Sequence, residues 1–279
     1  EIRPLSYRLR DQNLQSNKVS ISLVIPCYNE SNRLSYLEAG LREFRDQWQY
    51  SYEVIIVDDG SKDDTAQLLQ EKVLPLSDNK VEYKIIPLSQ NQGKGGALQA
   101  GVRAAKGAFV LTLDADMAAR PTELNKWLKQ LPLTQFSPKE ILIGSRNHPE
   151  SQIDARQDRK FAGQVFNTLV RIVTPIKNSD TQCGFKLYPT PIAQLLFQDL
   201  QIKGWAHDIE LLYKANYLKI PVKSMPLQWQ HIDDEKIDVL ADGVKMAWET
   251  VKLSFRFRMV KEYRSILKAC RKRYQQMSW

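Results

Sequence analysis

With 279 residues, 43% of them hydrophobic, the chain can build one large α/β domain or two small ones around a substantial core. Its 40 Lys and Arg outnumber 32 Asp and Glu, and the formal charge of +8 suits an anionic partner: a nucleotide, a phosphate, a nucleic acid or an acidic membrane surface. Cys27, Cys183 and Cys270 are too few and too scattered for a disulfide framework or a zinc site, so a reducing compartment is the default, and no apolar run reaches the roughly 18 residues of a membrane span.

Residues 1–18 are polar without periodicity and read as a loose leader. There is no signal peptide, and a sequence opening on Glu1 rather than Met is expected to have been trimmed. A β-branched strand, 19–25, is stopped by Pro26 and followed by Cys27-Tyr28-Asn29-Glu30 and an amphipathic helix over 33–47. A second strand, 52–57, ends in Asp58-Asp59-Gly60-Ser61, and Asp63-Asp64-Thr65 opens a helix with acidic residues in its first turn. A third strand, 81–87, precedes Asn91-Gln92-Gly93-Lys94-Gly95-Gly96 and a helix through Ala105.

The fourth strand, from Phe109, delivers Asp114 and Asp116 at its end. Two residues apart on a strand, they are expected to share a face. Adjacent carboxylates repel unless a divalent cation such as magnesium or manganese bridges them, the alternative being a solvated acidic turn. Strands alternating with helices imply a mostly parallel sheet, whose ligands sit beyond the carboxyl ends of its strands. The loops 26–30, 58–61, 91–96 and 114–116 all fall there. Known phosphate loops do not fit: Leu98 stands where a dinucleotide fingerprint needs its third glycine, and Leu88 and Gly95 break a P-loop.

In order and spacing, Val24-Ile25-Pro26-Cys27-Tyr28-Asn29-Glu30, Val57-Asp58-Asp59-Gly60-Ser61-x-Asp63-x-Thr65, Asn91-x-Gly93-Lys94-Gly95 and Asp114-Ala115-Asp116 resemble family 2 glycosyltransferases. The resemblance implies a GT-A-type α/β fold that binds a nucleotide-diphosphate sugar and inverts the anomeric carbon. Carried over residue by residue, Pro26, Tyr28, Glu30, Asp58 and Asp59 would surround the base and ribose, with Lys94 near them. Asp114, Ala115 and Asp116 would meet the diphosphate, and Asp114 and Asp116 the metal. Some polyprenyl-phosphate relatives carry a metal-assisting Gln two residues beyond the second Asp; this chain has Ala118 there.

In the second half a strand at 141–146 delivers Ser145 and Arg146, and a basic stretch with Arg156, Arg159 and Lys160 opens a helix through 173. Together these cations could cradle a phosphate, since the planar guanidinium makes paired, charge-assisted bonds; the alternative is a solvated basic helix start. Asp180 to Tyr188, Gly204 to Leu212, Ile220-Pro221-Val222 and the 229–237 stretch resemble the dolichyl-phosphate β-glucosyltransferase and polyprenyl-phosphate sugar transferase branch. That likeness implies an inverting, metal-dependent transfer of a hexose, glucose from UDP-glucose first, onto a polyprenyl or dolichyl phosphate. Asp116, Asp208 and Arg146 would be the catalytic groups, and Arg146 with Arg156 or Arg159 would hold the acceptor phosphate.

Asp208 and Glu210 lie two apart. With a hydroxyl acceptor Asp208 would be the general base; with a phosphate, already anionic at pH 7, it would position the sugar or an Arg. An N-cap is its structural alternative. His207 and His231 are alternative metal ligands. From Gly243 the apolar residues recur at helical spacing, and ten Lys and Arg against two Glu stand between Lys245 and Arg273. Such a segment can lie in a membrane interface or pack on the domain. The domains expected are thus 1–18, 19–242 and 243–279, at the cytoplasmic face of a membrane where the family meets nucleotide sugars. A non-catalytic nucleotide-sugar-binding, membrane-docking protein is the rival reading; no nucleic-acid motif is present.

Overall fold

In the computed structural model, residues 20–78, 80–130, 137–154, 157–230, 232 and 241–277 are described, 157–164 and 241–242 by backbone alone. The leader and His231 lie outside them. Seven strands form the main sheet: β1 (Ile21–Cys27), β2 (Tyr52–Asp58), β3 (Val81–Pro87), β4 (Phe109–Thr112), β5 (Ile141–Gly144), β7 (Lys186–Pro189) and β8 (Val222–Met225), in the order β3-β2-β1-β4-β7-β5-β8. Only β7 runs antiparallel to its neighbours. A short parallel pair, β6 (Gln152–Asp154) and β9 (Gln228–Gln230), stands beside it.

Both faces of the sheet are covered over its inner strands, which is why β1, β2 and β4 read as mostly apolar runs. Ile21, Leu23 and Ile25 of β1 face one core with Phe44 and Trp48, from or next to α1 (Leu34–Gln47), and Trp127 of α4 (Glu123–Gln130). Helix α1 forms because Leu34, Leu37, Leu41 and Phe44 fall on one stripe, and each buried side chain of this size contributes about 1.5–3 kcal/mol. Val24, Ile55, Val57 and Val110 face the other core, with α3 (Lys94–Ala104), α6 (Thr190–Gln198) and α7 (His207–Leu218). Glu53 is buried within β2, where it accepts hydrogen bonds from Ser22 Oγ (2.6 Å), Lys106 N (2.6 Å) and Gly107 N (3.2 Å), pinning the turn into β4.

Four expectations change in detail. Pro26 does not stop β1: it pairs with Val57, because β4 leaves β1 after Val24 and the missing N–H there breaks no ladder. β4 ends at Thr112, so Asp114 and Asp116 sit on a turn, closed by Met117 N on Asp114 O (3.2 Å) with Met117 at φ 58°, rather than on one strand face. The helix opened by Thr65, α2 (Thr65–Leu68), passes at once into a π turn and a 3-10 turn that contains Pro75. Finally, the basic C-terminal segment breaks at the extended Val260 into α8 (Ala241–Met259) and α9 (Lys261–Gln276).

The order β3-β2-β1-β4 turns back on itself between β1 and β4, so a crevice opens where their chains diverge. The loops after β1 and β4 face each other across it.

Candidate active site

A cavity of about 920 Å³ occupies that crevice, lined by Pro26, Tyr28, Glu30, Asp59, Lys94, Asp114, Ala115, Asp116, Arg146 and Asp208 among others. Asp58, expected with them, does not line it: its carboxylate accepts Ser61 N at 3.1 Å and caps the loop after β2. Arg156 lies outside the described residues. Arg159 and Lys160 fall in the first turn of α5 (Gln157–Val173), their side chains likewise outside the described set.

Much of the polar motif around the crevice ties loops together. Asn29 N meets Ser61 Oγ (2.9 Å), Glu30 N meets Thr65 Oγ1 (2.6 Å) and Asn29 Oδ1 accepts Lys62 N (2.8 Å). Asp59 spends both oxygens on the Gln92 and Gly93 amides (2.7 and 2.8 Å), so it positions the glycine loop as well as lining the cavity. That loop is not a phosphate cradle. Gly93 has φ 87° and faces the Lys203 carbonyl, where a Cβ would clash, and Gly95 abuts His207.

The two carboxylates of the turn after β4 differ in company. Lys94 Nζ sits 2.5 Å from Asp114 Oδ1 and 5.2 Å from the centre of the Trp205 ring. Burial works against the Lys94 charge, but Asp114, Asp208 and Asp116 together hold its pKa above the usual value. Among the described residues Asp116 has only the Ala118 amide (3.0 Å), and burial and then the charge of Asp114 push its carboxyl pKa up. An anionic pair with one oxygen set uncompensated is a donor set that suits a hard divalent ion. Among the described residues no group of three or more His, Cys, Asp or Glu side chains is placed to hold a metal ion. Backing the pair is Gly184, where a Cβ would fall within 3.0 Å of both Asp114 oxygens. Gly184→Ala is therefore expected to cost roughly a hundredfold in kcat with the circular dichroism unchanged, the scale of a misplacement of about 1 Å.

Arg146 sits in the cavity, but its fork is engaged: Nε and Nη2 reach Asp180 Oδ2 and Oδ1 at 2.8 and 2.9 Å, and its backbone N meets Oδ2 at 2.9 Å. Burial opposes the ionised Asp180, yet Arg146 keeps its pKa below the usual carboxylate value. Any phosphate must use the guanidinium edge that Asp180 leaves.

Asp208 lies inside α7, after its N-cap Ala206, so the capping alternative does not apply. Its Oδ1 is 2.7 Å from Lys186 Nζ and 3.4 Å from His207 Nε2, and all three side chains are buried. Burial disfavours its charge, but His207, Lys186 and Lys94 hold the pKa below the usual value. Burial holds His207 itself below its usual pKa, and the cation in hydrogen-bond contact with Asp208 is Lys186. Glu210 has a separate, structural role. It accepts the Gln201 and Ile202 amides (2.9 and 2.8 Å) and pairs with Lys214 at 2.7 Å, fastening the loop that carries Trp205.

Sequence reasoning passed over Lys186, Asp180, Trp205, Trp229 and Gln182. The Nε2 of Gln182 is buried against the cavity with no hydrogen-bond partner among the described residues, a donor free for a bound hydroxyl or phosphate. The motifs 180–188, 204–212 and 229–237 contain these groups, but a motif does not say which member faces ligand.

Comparison with known proteins agrees with this architecture. Residues 22–197 match the family described as "Glycosyl transferase family 2". Dolichyl-phosphate beta-glucosyltransferase of Dictyostelium discoideum is 32% identical over 249 residues, covering 86% of this chain and 76% of the relative. The human protein of that name is 35% identical, covering 85% and 75%. In structure, glucosyl-3-phosphoglycerate synthase from Mycobacterium tuberculosis, in complex with Mn2+, UDP and glucosyl-3-phosphoglycerate, superposes with a TM-score of 0.61 at 17% identity, covering 86% of this chain and 80% of that one. Mannosyl-3-phosphoglycerate synthase from Rubrobacter xylanophilus gives 0.57 at 16%, covering 94% and 80%. These structural likenesses carry the GT-A-type fold alone; with the sequence relatives and the crevice between β1 and β4, they make this chain a member of glycosyl transferase family 2, alongside the dolichyl-phosphate beta-glucosyltransferases.

Proposed function

We propose that the protein transfers glucose from UDP-glucose to dolichyl or a related polyprenyl phosphate, with inversion at C1, using a divalent metal ion, on the cytoplasmic surface of a membrane. The observation that carries this is the relatedness to dolichyl-phosphate beta-glucosyltransferases across about 85% of the chain, including the second-half segments that bring Arg146, Asp180 and Asp208 to the cavity. Manganese and UDP-glucose accompany a solved structure of the same fold, glucosyl-3-phosphoglycerate synthase.

In this reading a phosphate oxygen of the acceptor attacks C1 of the glucose, the bond from C1 to the β-phosphate oxygen breaks, and UDP leaves with the electron pair. Asp114 and Asp116 would hold magnesium or manganese, which when bound neutralises the leaving diphosphate. Pro26, Tyr28, Glu30 and Asp59 would wall the base and ribose. Lys94, already charged and held by Asp114, adds a positive group beside the diphosphate. Arg146 is aimed by Asp180 toward the acceptor side. No proton has to be removed from a phosphate acceptor near pH 7. A carboxylate clamped by Lys186 is a weak base, which favours a positioning role for Asp208 over the hydroxyl-acceptor reading. No helix among the described residues is long and apolar enough to cross a membrane.

The test is UDP release from a panel of nucleotide sugars with a short-chain polyprenyl phosphate, with and without manganese or magnesium. Release requiring both lipid phosphate and metal, fastest with UDP-glucose, is expected. Metal-dependent release that ignores the lipid would replace the acceptor, and no release from any donor would leave a binding protein.

A further inference from the structure

The cations that line the cavity among the described residues are Arg33, Lys94, Arg146 and Lys245. The first three are committed: Arg33 to Glu30 (2.8 Å), Lys94 to Asp114 (2.5 Å) and Arg146 to Asp180 (2.8 Å). Lys245 has no ion partner among the described residues. It belongs to α8 and lines the cavity together with the next residue, Met246.

The same helix carries an exposed apolar stripe. Val244, Trp248, Val251, Phe255 and Met259 follow one another at steps of three and four residues, and Trp248, Phe255 and Met259 are each 60% exposed or more. At 100° per residue they span a narrow arc, with Lys245 and Lys252 along one edge and Arg258 along the other. The opposite side of α8 is used internally: Leu253 and Phe257 pack with Val170, Ile209 and Leu212. Helix α5, which packs beside α8, exposes Val165 and Ile172 one heptad apart. The rest of the apolar pattern, on α9, is spent on the domain, with Leu267 and Cys270 buried and Tyr263 against Phe257.

We propose that α8 is the acceptor helix: Lys245 meets the phosphate of the lipid acceptor at the cavity mouth, and the stripe from Val244 to Met259 lies in the bilayer leaflet that carries the lipid's chain. This rests on the function proposed above. The chemistry on the page is that of an anionic head on a long hydrocarbon. Among the described residues one uncommitted cation, Lys245, lines the cavity, and an apolar face begins at the neighbouring Val244. Aromatic and aliphatic side chains edged by Lys and Arg are the make-up of a helix lying in an anionic interface, and a compact ammonium binds phosphate as a point charge.

The test uses the full chain. Lys245→Ala is expected to raise KM for a water-soluble short-chain polyprenyl phosphate about tenfold while KM for UDP-glucose holds, and Lys245→Arg to restore it. Trp248→Glu/Phe255→Glu is expected to lose flotation with phosphatidylcholine–phosphatidylserine vesicles and transfer to a long-chain acceptor embedded in them. Transfer to the short-chain acceptor should survive. An unchanged acceptor KM in Lys245→Ala overturns the phosphate contact. Full flotation of the double variant overturns the leaflet contact, as does a wild-type dimer that the double substitution dissociates, since a second copy would then cover the stripe. Absence of transfer by the wild type to any acceptor would instead overturn the function, and Lys245's role with it, while flotation still decides the stripe.

Discussion

Asp116→Ala is expected to lower glucose transfer by roughly a thousandfold while leaving the protein folded and at least as heat-stable as before. The rate loss corresponds to several kcal/mol of charge stabilisation withdrawn from a leaving diphosphate. The stability argument has its own physics. Asp116 has no ion pair among the described residues, and burial and then Asp114 raise its pKa, with Arg33 and Lys94 offsetting only part of the rise. A carboxyl that holds its proton more tightly folded than unfolded weakens the fold at every pH above its folded value, and the penalty vanishes below about pH 3.9, the unfolded value. The metal-free variant should therefore gain in melting temperature at pH 7–8, and the gain should disappear near pH 3.5. Asp114→Ala should differ: it strands the ammonium of Lys94, so the rate loss comes with a fall in Tm. Kinetics and melting curves of both variants decide the matter, and an Asp116→Ala enzyme within tenfold of wild type would remove the metal from the mechanism.

The contrast between these neighbouring aspartates marks where sequence reading runs out. The sheet was legible because covering both faces demands long apolar runs, and β1, β2 and β4 have them. The edge of the sheet was legible because its loops are polar and fall at corresponding strand ends. Within those loops, what each side chain faces depends on partners far along the chain. Asp58 and Asp59 are neighbours of one type, yet one caps its own loop while the other holds the amides of Gln92 and Gly93. Asp208 and Glu210 looked like a pair until Lys186 and Lys214 divided them. Arg146 was legible as a cation after a strand, but not that Asp180 takes its fork. The C-terminal stripe was one helical pattern in sequence; the break at Val260 turned half of it inward and left the other half exposed.

Lys186 is where that hidden pairing has the largest consequence. Its ammonium, fully buried, donates to Asp208 Oδ1 at 2.7 Å and to the Cys183 carbonyl. Lys186→Met leaves Asp208 as a buried carboxylate whose remaining neighbours are His207, Lys94 and Tyr188, and Asp208→Asn leaves a buried ammonium. Each single change should cost about 3–5 kcal/mol, whereas Lys186→Met/Asp208→Asn removes both charges and should recover most of the lost melting temperature. The sign of the pH effect follows from the pair: with Lys186 present the Asp208 pKa lies below the usual value, so its contribution to stability is complete above about pH 4 and fades below it. In Lys186→Met burial is no longer offset by this cation, and the acid limb of kcat should move to higher pH. The double variant then separates the two chemistries. If Asp208 were a general base, restoring the fold would not restore the reaction, and losses of about 10²–10⁴ would persist. If it only aligns the sugar for an acceptor that is already anionic, the refolded double variant should transfer glucose to the lipid phosphate within about tenfold of wild type, the scale of one positioning contact.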